Sequence, residues 1–347
     1  MSPDPFGRRE LLAGTGGLFI CTLAGQKVFS DRKADVEGLA NEVPVPPKVA
    51  AAERAGTTSQ TVLASNPVGT RREYWIQAEP VKWNIVPKGR DAMMDRKVKG
   101  KTKFVPYAYR PYSAGFAAPL GPATVPGPLI EAETGDAIVV NFRNKIDAPV
   151  TIHPHGVFYT QDMDGAYKGR HTDPGGFVQK KRTFQYVWEA REGTEGTWLY
   201  DDHGPMDPLP VFKGLFGPLI IRRAGAPRPT REFNLAMHAF APAATGLDQN
   251  FSCINGRAYA GNTPTLEANV GDSVAFNVFA LDNDFHTFHV HGHRWTDPDG
   301  TVIDNRTLGP GDSFTAAFVE DNPGRWFYHC HVFTHLHTGM NGWYLVS

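Results

Sequence analysis

The sequence predicts an all-β protein made of two copies of one strand-rich domain. Three observations carry the prediction: short apolar runs punctuated by Gly and Pro, no sustained helical periodicity, and an internal repeat of rare residues in register. The 347 residues include 36 Gly and 28 Pro, a density of turn formers that cuts the chain into strand-length pieces. A chain of that length exceeds one ordinary core and suits two.

Taken in order, the chain opens with Arg8 and Arg9 ahead of an apolar stretch, Leu11 to Ala24, that is too short to span a bilayer. With Glu10, Leu11 and Leu12 behind the arginine pair, residues 1–25 resemble a twin-arginine export leader. Such a leader implies export to the periplasm, the cell surface or the medium, with no transmembrane segment after it. Cys21 is a conceivable lipid-anchor site, although Ile20 before it is bulkier than such sites allow. Residues 26–70 are rich in Ala, Lys, Glu, Thr and Pro and include Val43-Pro44-Val45-Pro46-Pro47, which reads as a flexible arm with polyproline character. Strand-like runs then begin near Tyr74 and include Ala137 to Phe142, Thr183 to Val187, Leu219 to Ile221, Ser273 to Phe279, Phe314 to Val319 and Gly342 to Val346. Ala224-Gly225-Ala226-Pro227-Arg228-Pro229 reads as a linker, which places a first domain at 71–224 and a second at 225–347.

Composition narrows the function. The 35 basic and 36 acidic residues nearly cancel, so nothing points to nucleic acid or to another strongly charged partner. Three cysteines, Cys21, Cys253 and Cys330, cannot supply a disulfide framework. Stability has to come from cores and metal.

The repeat is the most informative feature. Pro128, Glu131, Ala132, Gly135, Asp136 and Asn141 recur as Pro264, Glu267, Ala268, Gly271, Asp272 and Asn277, each 136 positions on. His153, His155 and Gly156 recur at the same offset as His289, His291 and Gly292, and Pro174-Gly175 as Pro310-Gly311. Further on, Gly196, Trp198, Tyr200 and His203 match Gly324, Trp326, Tyr328 and His331 at an offset of 128. The eight-residue difference falls in the intervening loop, as expected of two copies of one β-domain.

Histidine gathers where the copies agree. His153, His155, His203, His286, His289, His291, His329, His331 and His335 make nine of the thirteen. Alternation along a strand places both imidazoles of a His-X-His on one face. In His329-Cys330-His331 the two imidazoles therefore face one way and the thiolate the other, so one strand can serve two metal sites joined by a short covalent path. Cys330 with His286, His335 and Met340 supplies thiolate, two imidazoles and a thioether, the donor set of a blue copper centre. Zinc suits a lone Cys with a spaced Met less well.

These motifs resemble those of the multicopper oxidases, and specifically the two-domain small laccases of bacteria. The likeness is densest from Phe285-His286-Thr287-Phe288-His289 through Gly292-His293-Arg294-Trp295, Val302-Ile303-Asp304-Asn305 and Gly309 to the Cys330 segment, and it covers roughly residue 71 to the C-terminus. The resemblance implies two cupredoxin-like Greek-key β-barrel or sandwich domains and up to four copper ions per chain. It implies one-electron oxidation of phenols, aromatic amines or metal ions at the blue (type 1) copper, coupled to reduction of dioxygen to water. By the same resemblance His153 and His289 match type 2 ligands, while His155, His203, His291, His329 and His331 match ligands of the type 3 pair. It also implies a homotrimer with the cluster at subunit interfaces. Tyr159, Asp164 and Asp304 match residues beside the cluster, Asp304 a carboxylate associated with proton delivery.

The pattern breaks in two places. Val150 stands where the repeat puts His286 and Asp202 where it puts Cys330, so only the second domain offers a blue copper site. This weighs against the copper nitrite reductases, which carry that site in the first domain. Asp201 stands where the repeat puts His329, in place of a type 3 histidine. Asp201 can ligate, water can replace the missing donor, or the cluster can be depleted; the last outcome would leave a copper-binding electron-transfer protein with weak oxygen reduction.

Overall fold

The computed structural model describes residues 43–55 and 69–347, together with a short strand pair at Thr22–Leu23 and Gln26–Lys27. The residues that carry the leader reading, Arg8 to Ile20, and Cys21 lie outside the described residues. Among the described residues no helix is long and apolar enough to cross a membrane.

Every strand-like run named from the sequence lies in a strand. In the first half one sheet is ordered Thr183–Glu189, Ala137–Asn144, Arg71–Pro80, Tyr107–Tyr112, and the sheet facing it His153–Pro154, Gly196–Asp201, Phe216–Arg222, Ile130–Glu133. The second half repeats this with Phe251–Ile254, Arg231–Phe240, Ser273–Ala280, Ser313–Val319 in one sheet. Its other sheet is Leu266–Ala268, Asn341–Val346, Gly324–Cys330, His286–Val290, Asn305–Leu308. In both halves the two middle strands of the first sheet run parallel to each other, Ala137–Asn144 with Arg71–Pro80 and Ser273–Ala280 with Arg231–Phe240. This is an all-β fold of two Greek-key sandwiches of the cupredoxin kind.

Alternation explains how the halves join. Along Ser273–Ala280, Val274, Phe276, Val278 and Ala280 enter the core of the second sandwich. The intervening Phe279 enters a separate apolar cluster with Leu199 and Phe216 of the first half, and Asn277 accepts a 3.0 Å hydrogen bond from the Thr197 hydroxyl. Cys253, fully buried, belongs to that shared cluster, and burial pushes its thiol well up, as suits a packing residue. The glycines that close the two His-X-His motifs have a shared reason. Gly156 (φ +74°) and Gly292 (φ +73°) adopt left-handed backbone with a tryptophan ring, Trp198 or Trp326, where a Cβ would fall.

Two features depart from the sequence reading. Within the expected flexible arm, Pro47–Ala55 is a helix. Proline at its start and an alanine-rich run favour it, Val49 is buried, and Lys48 Nζ lies 2.8 Å from Asp173 Oδ1. Residues 81–106 leave the first sandwich and clasp the second. The Trp83 indole donates to the Gly256 carbonyl at 2.6 Å, the Arg257 guanidinium lies 3.7 Å from the Trp83 ring centroid, and Ala92 N–H donates to the Ala260 carbonyl. The clasped loop reaches the metal-binding end, because Tyr259 N–H donates to the Gly339 carbonyl at 2.7 Å.

His238 lies buried in the shared cluster, ringed by Phe216 and Phe240, and its Nε2 accepts the Gly256 N–H at 3.0 Å. Burial lowers its pKa from 6.5 to about 4. The unfolded chain gains a proton near the ordinary value while the folded chain does not, so the stability present above pH 6.5 is lost as pH falls toward 4. In metal-free protein the stability difference between wild type and His238→Gln should shift by on the order of 3 kcal/mol between pH 7 and pH 4. Urea midpoints across that range measure it, and parallel pH profiles would show that His238 is not held neutral.

Candidate metal centre

Three chain segments bring the predicted blue-copper donors together. His286 opens the strand His286–Val290, Cys330 closes Gly324–Cys330 opposite Phe288, and His335 sits in the helical turn Phe333–Thr338 just before Met340. Donor atoms of His286, Cys330 and His335 all lie within 4.8 Å of one another. The His335 Nδ1 is 3.7 Å from the Cys330 sulfur, and Met340 is fully buried beside them, its carbonyl accepting the Cys330 N–H. Both imidazoles turn Nε2 outward onto a carboxylate, His286 onto Asp282 at 3.1 Å and His335 onto Asp284 at 3.3 Å. The Nδ1 atoms are thereby left facing the sulfur. His286 Nδ1 is buried without a hydrogen-bond partner, an orphaned donor atom that suits a metal bond. Burial would raise the thiol pKa, but the neighbouring His286 and His335 imidazoles outweigh it and bring it to about 6. A thiolate, two carboxylate-backed imidazoles and a buried thioether fit copper.

On the other face of the same strand, His329 Nε2 and His291 Nε2 point at each other across 3.1 Å. The His329 and His331 rings lie 5.5 Å apart, confirming that they share a side. His289 Nδ1–H donates to the Asp304 carbonyl at 2.6 Å, which leaves its Nε2 available. His289, His291 and His329 form a second group of converging donors. Burial first, then the neighbouring imidazoles, lower His329 to about 4 and lower His291 as well, so both stand in the neutral form that ligates.

The first half forms the matching group from His153, His155 and His203. His153 pairs with Asp201 across the strands as His289 pairs with His329, so the register agrees with the sequence alignment of Asp201 on His329. The Asp201 Oδ1 accepts from His155 Nε2 at 3.1 Å and lies 3.3 Å from His203 Nε2. Burial would raise the Asp201 carboxyl, yet these two imidazoles hold it below its ordinary value, while His203 in turn is raised against its own burial to about 9. Asp202 takes the place of Cys330: Thr151 N–H donates to it as Thr287 N–H donates to the sulfur. Val150, where the other half has His286, is buried in the core.

The three residues expected beside the cluster separate into distinct roles. The Asp164 carboxylate is 3.1 Å from His153 Nδ1 and 2.6 Å from Lys168 Nζ, and its pKa falls to about 2, chiefly through the His153 hydrogen bond. With its carbonyl also accepting from His153 at 2.5 Å, Asp164 orients an imidazole and has no proton to give at neutral pH. Asp304 is its counterpart on His289, but its side chain is 67% exposed. The Tyr159 ring lies against His153 at 5.7 Å.

Sequence reasoning missed Asp282 and Asp284, and it missed a buried brace behind His291. There His293 donates from Nδ1 to the His291 carbonyl at 2.7 Å and lies 3.0 Å from Glu320, which also accepts from Tyr344 and from Asn322 N–H. Among the described residues, no hydrogen bond, ion pair or ring contact joins a histidine of the first-half group to one of the second.

Residues 122–225 match one family model described as multicopper oxidase, and residues 227–347 match another. The chain belongs to the multicopper oxidase family. It is 34% identical over 240 residues to a probable nitrite reductase–hydroxylamine oxidoreductase fusion protein of Kuenenia stuttgartiensis, covering 65% of this chain and 28% of that one. It is 28% identical over 347 residues to the human ferroxidase HEPHL1, covering 81% and 30%. The chain thus spans less than a third of the length of these curated relatives. Among solved structures, a multicopper oxidase (TM-score 0.64, 23% identity, 80% of this chain and 89% of that one) shares the fold. So does a copper nitrite reductase from Nitrosomonas europaea (TM-score 0.63, 16% identity, 80% and 94%).

Proposed function

We propose that this chain is an exported, laccase-like multicopper oxidase that withdraws single electrons from small reductants and delivers them to dioxygen, working as a homotrimer. The observation that carries the reading is the His329-Cys330-His331 strand end, which turns its sulfur toward one donor group and its imidazoles toward another. Copper, when bound, supplies the one-electron carriers at the first group and the oxygen-reducing centre at the second. The residues supply the rest. Cys330 provides a thiolate and a continuous covalent path through its backbone to both flanking histidines, Asp282 and Asp284 fix the imidazole tautomers, and Asp304 offers an exposed carboxylate for protons. Loading the protein with copper, counting ions per chain and following oxygen uptake with a phenol tests the proposal. Four coppers with turnover support it, whereas one blue copper without turnover leaves an electron-transfer protein.

A metal ion as the reductant is favoured by one observation. Asp284, whose side chain is 69% exposed, touches the outer nitrogen of His335, so a cation held there would lie one imidazole from the sulfur. Asp284→Asn should lower kcat/KM for ferrous or cuprous ion about tenfold more than for a neutral phenol. Equal losses for the two donors would show that Asp284 does not select the substrate.

A further inference from the structure

We propose that Asp201 is a metal ligand, and that with His155 and His203 it makes the first-half group a two-histidine, one-carboxylate site that retains a divalent ion. The inference rests on the oxidase reading for the identity of the metal, and on the following geometry for everything else.

Asp201 is not a loop residue that happens to be acidic. It ends the strand Gly196–Asp201 opposite His153, and its side chain is 6% exposed. Burying a carboxylate is costly unless it is paired or bound to metal. Its partners are the two groups that the repeat marks as ligands: one oxygen, Oδ1, sits 3.1 Å from His155 Nε2 and 3.3 Å from His203 Nε2. Three donor atoms at the ends of two paired strands already meet at one place. In the second half the same place holds the His291 and His329 Nε2 atoms, 3.1 Å apart. The two groups are therefore built alike around different donors, neutral nitrogen in one and anionic oxygen in the other.

That exchange has a defined chemical effect. A hard, negatively charged oxygen favours a divalent ion, whereas imidazole and thiolate accommodate monovalent copper as well. The first-half site should hold Cu(II) or Zn(II) firmly and resist reduction, while the second-half and sulfur sites cycle.

The test is anaerobic reduction of the copper-loaded protein with ascorbate, read by metal analysis and by electron paramagnetic resonance, in wild type, Asp201→Asn and Asp201→His. Wild type should keep a non-blue cupric signal after the blue colour has bleached. Asp201→Asn, of the same shape without the charge, should bind that ion at least about tenfold more weakly, and Asp201→His should bind it but lose the signal on reduction. A residual signal identical in all three proteins, or no non-blue ion in wild type, overturns the assignment. The blue band reports separately: its absence from all three would sink the oxidase reading, whereas its presence with an unchanged residual signal sinks the role of Asp201 alone.

Discussion

Cys330→Ser is expected to give a folded, colourless protein that binds one copper fewer per chain and oxidises phenols at least about a thousandfold more slowly. The size of the effect follows from what the sulfur does. It is the one anionic donor among His286, His335 and Met340, its pKa lowered to about 6 so that the thiolate is present at neutral pH. Under the proposed function it is also the atom through which an electron would leave toward His329 and His331. A serine hydroxyl stays protonated in that setting and offers neither the bond nor the path. The fold should survive, because serine is close in volume and the Thr287 N–H that now donates to the sulfur at 3.4 Å can donate to the hydroxyl instead; the net cost is about 1–2 kcal/mol. Copper analysis, the visible spectrum and oxygen uptake decide it together. Retained colour, or a rate within tenfold of wild type, would mean that the electron enters elsewhere.

What the sequence made legible was whatever repeats or alternates. The 136- and 128-residue offsets placed His153, His155 and His203 against His289, His291 and His331 before any pairing was known, and the strand register then set Asp201 opposite His153 as His329 is opposite His289. The opposed faces of His329 and Cys330 followed from strand alternation alone. Residues whose role depends on a contact formed by folding left no such mark. Glu320 braces His293 from 27 positions away, and Trp83 meets Gly256 from 173 away; neither distance matches a period. Asp282 and Asp284 flank Asn283 in a stretch that reads as a polar turn, and only the orientation of two imidazoles gives them meaning. Asp164 and Asp304 hid their kinship because they lie 140 positions apart, off the repeat. The helix at Pro47–Ala55 was masked by the prolines before it, which read as an extended arm until Val49 and Lys48 are seen to dock.

The second large effect concerns where the oxygen-reducing centre is assembled. Among the described residues no hydrogen bond, ion pair or ring contact joins the two histidine groups, and each is open on its outer side: the His155 and His203 side chains are 33% exposed, and His291 and His331 are exposed. In the proposed homotrimer each open half-site would meet its complement on a neighbour. A variant lacking His153 and His155 and a variant lacking His289 and His291 should each be inactive in oxygen uptake, while keeping the blue colour that Cys330 provides. Expressed together in equal amounts, they should recover about a quarter of the wild-type rate, since a working centre needs an intact first half from one variant beside an intact second half from the other, each present with probability one half. The fraction is the same for any closed ring of subunits, so recovery reports the location of the centre and a mass measurement reports the number of chains. A centre built within a single chain predicts no recovery, because every chain in the mixture carries one ruined half.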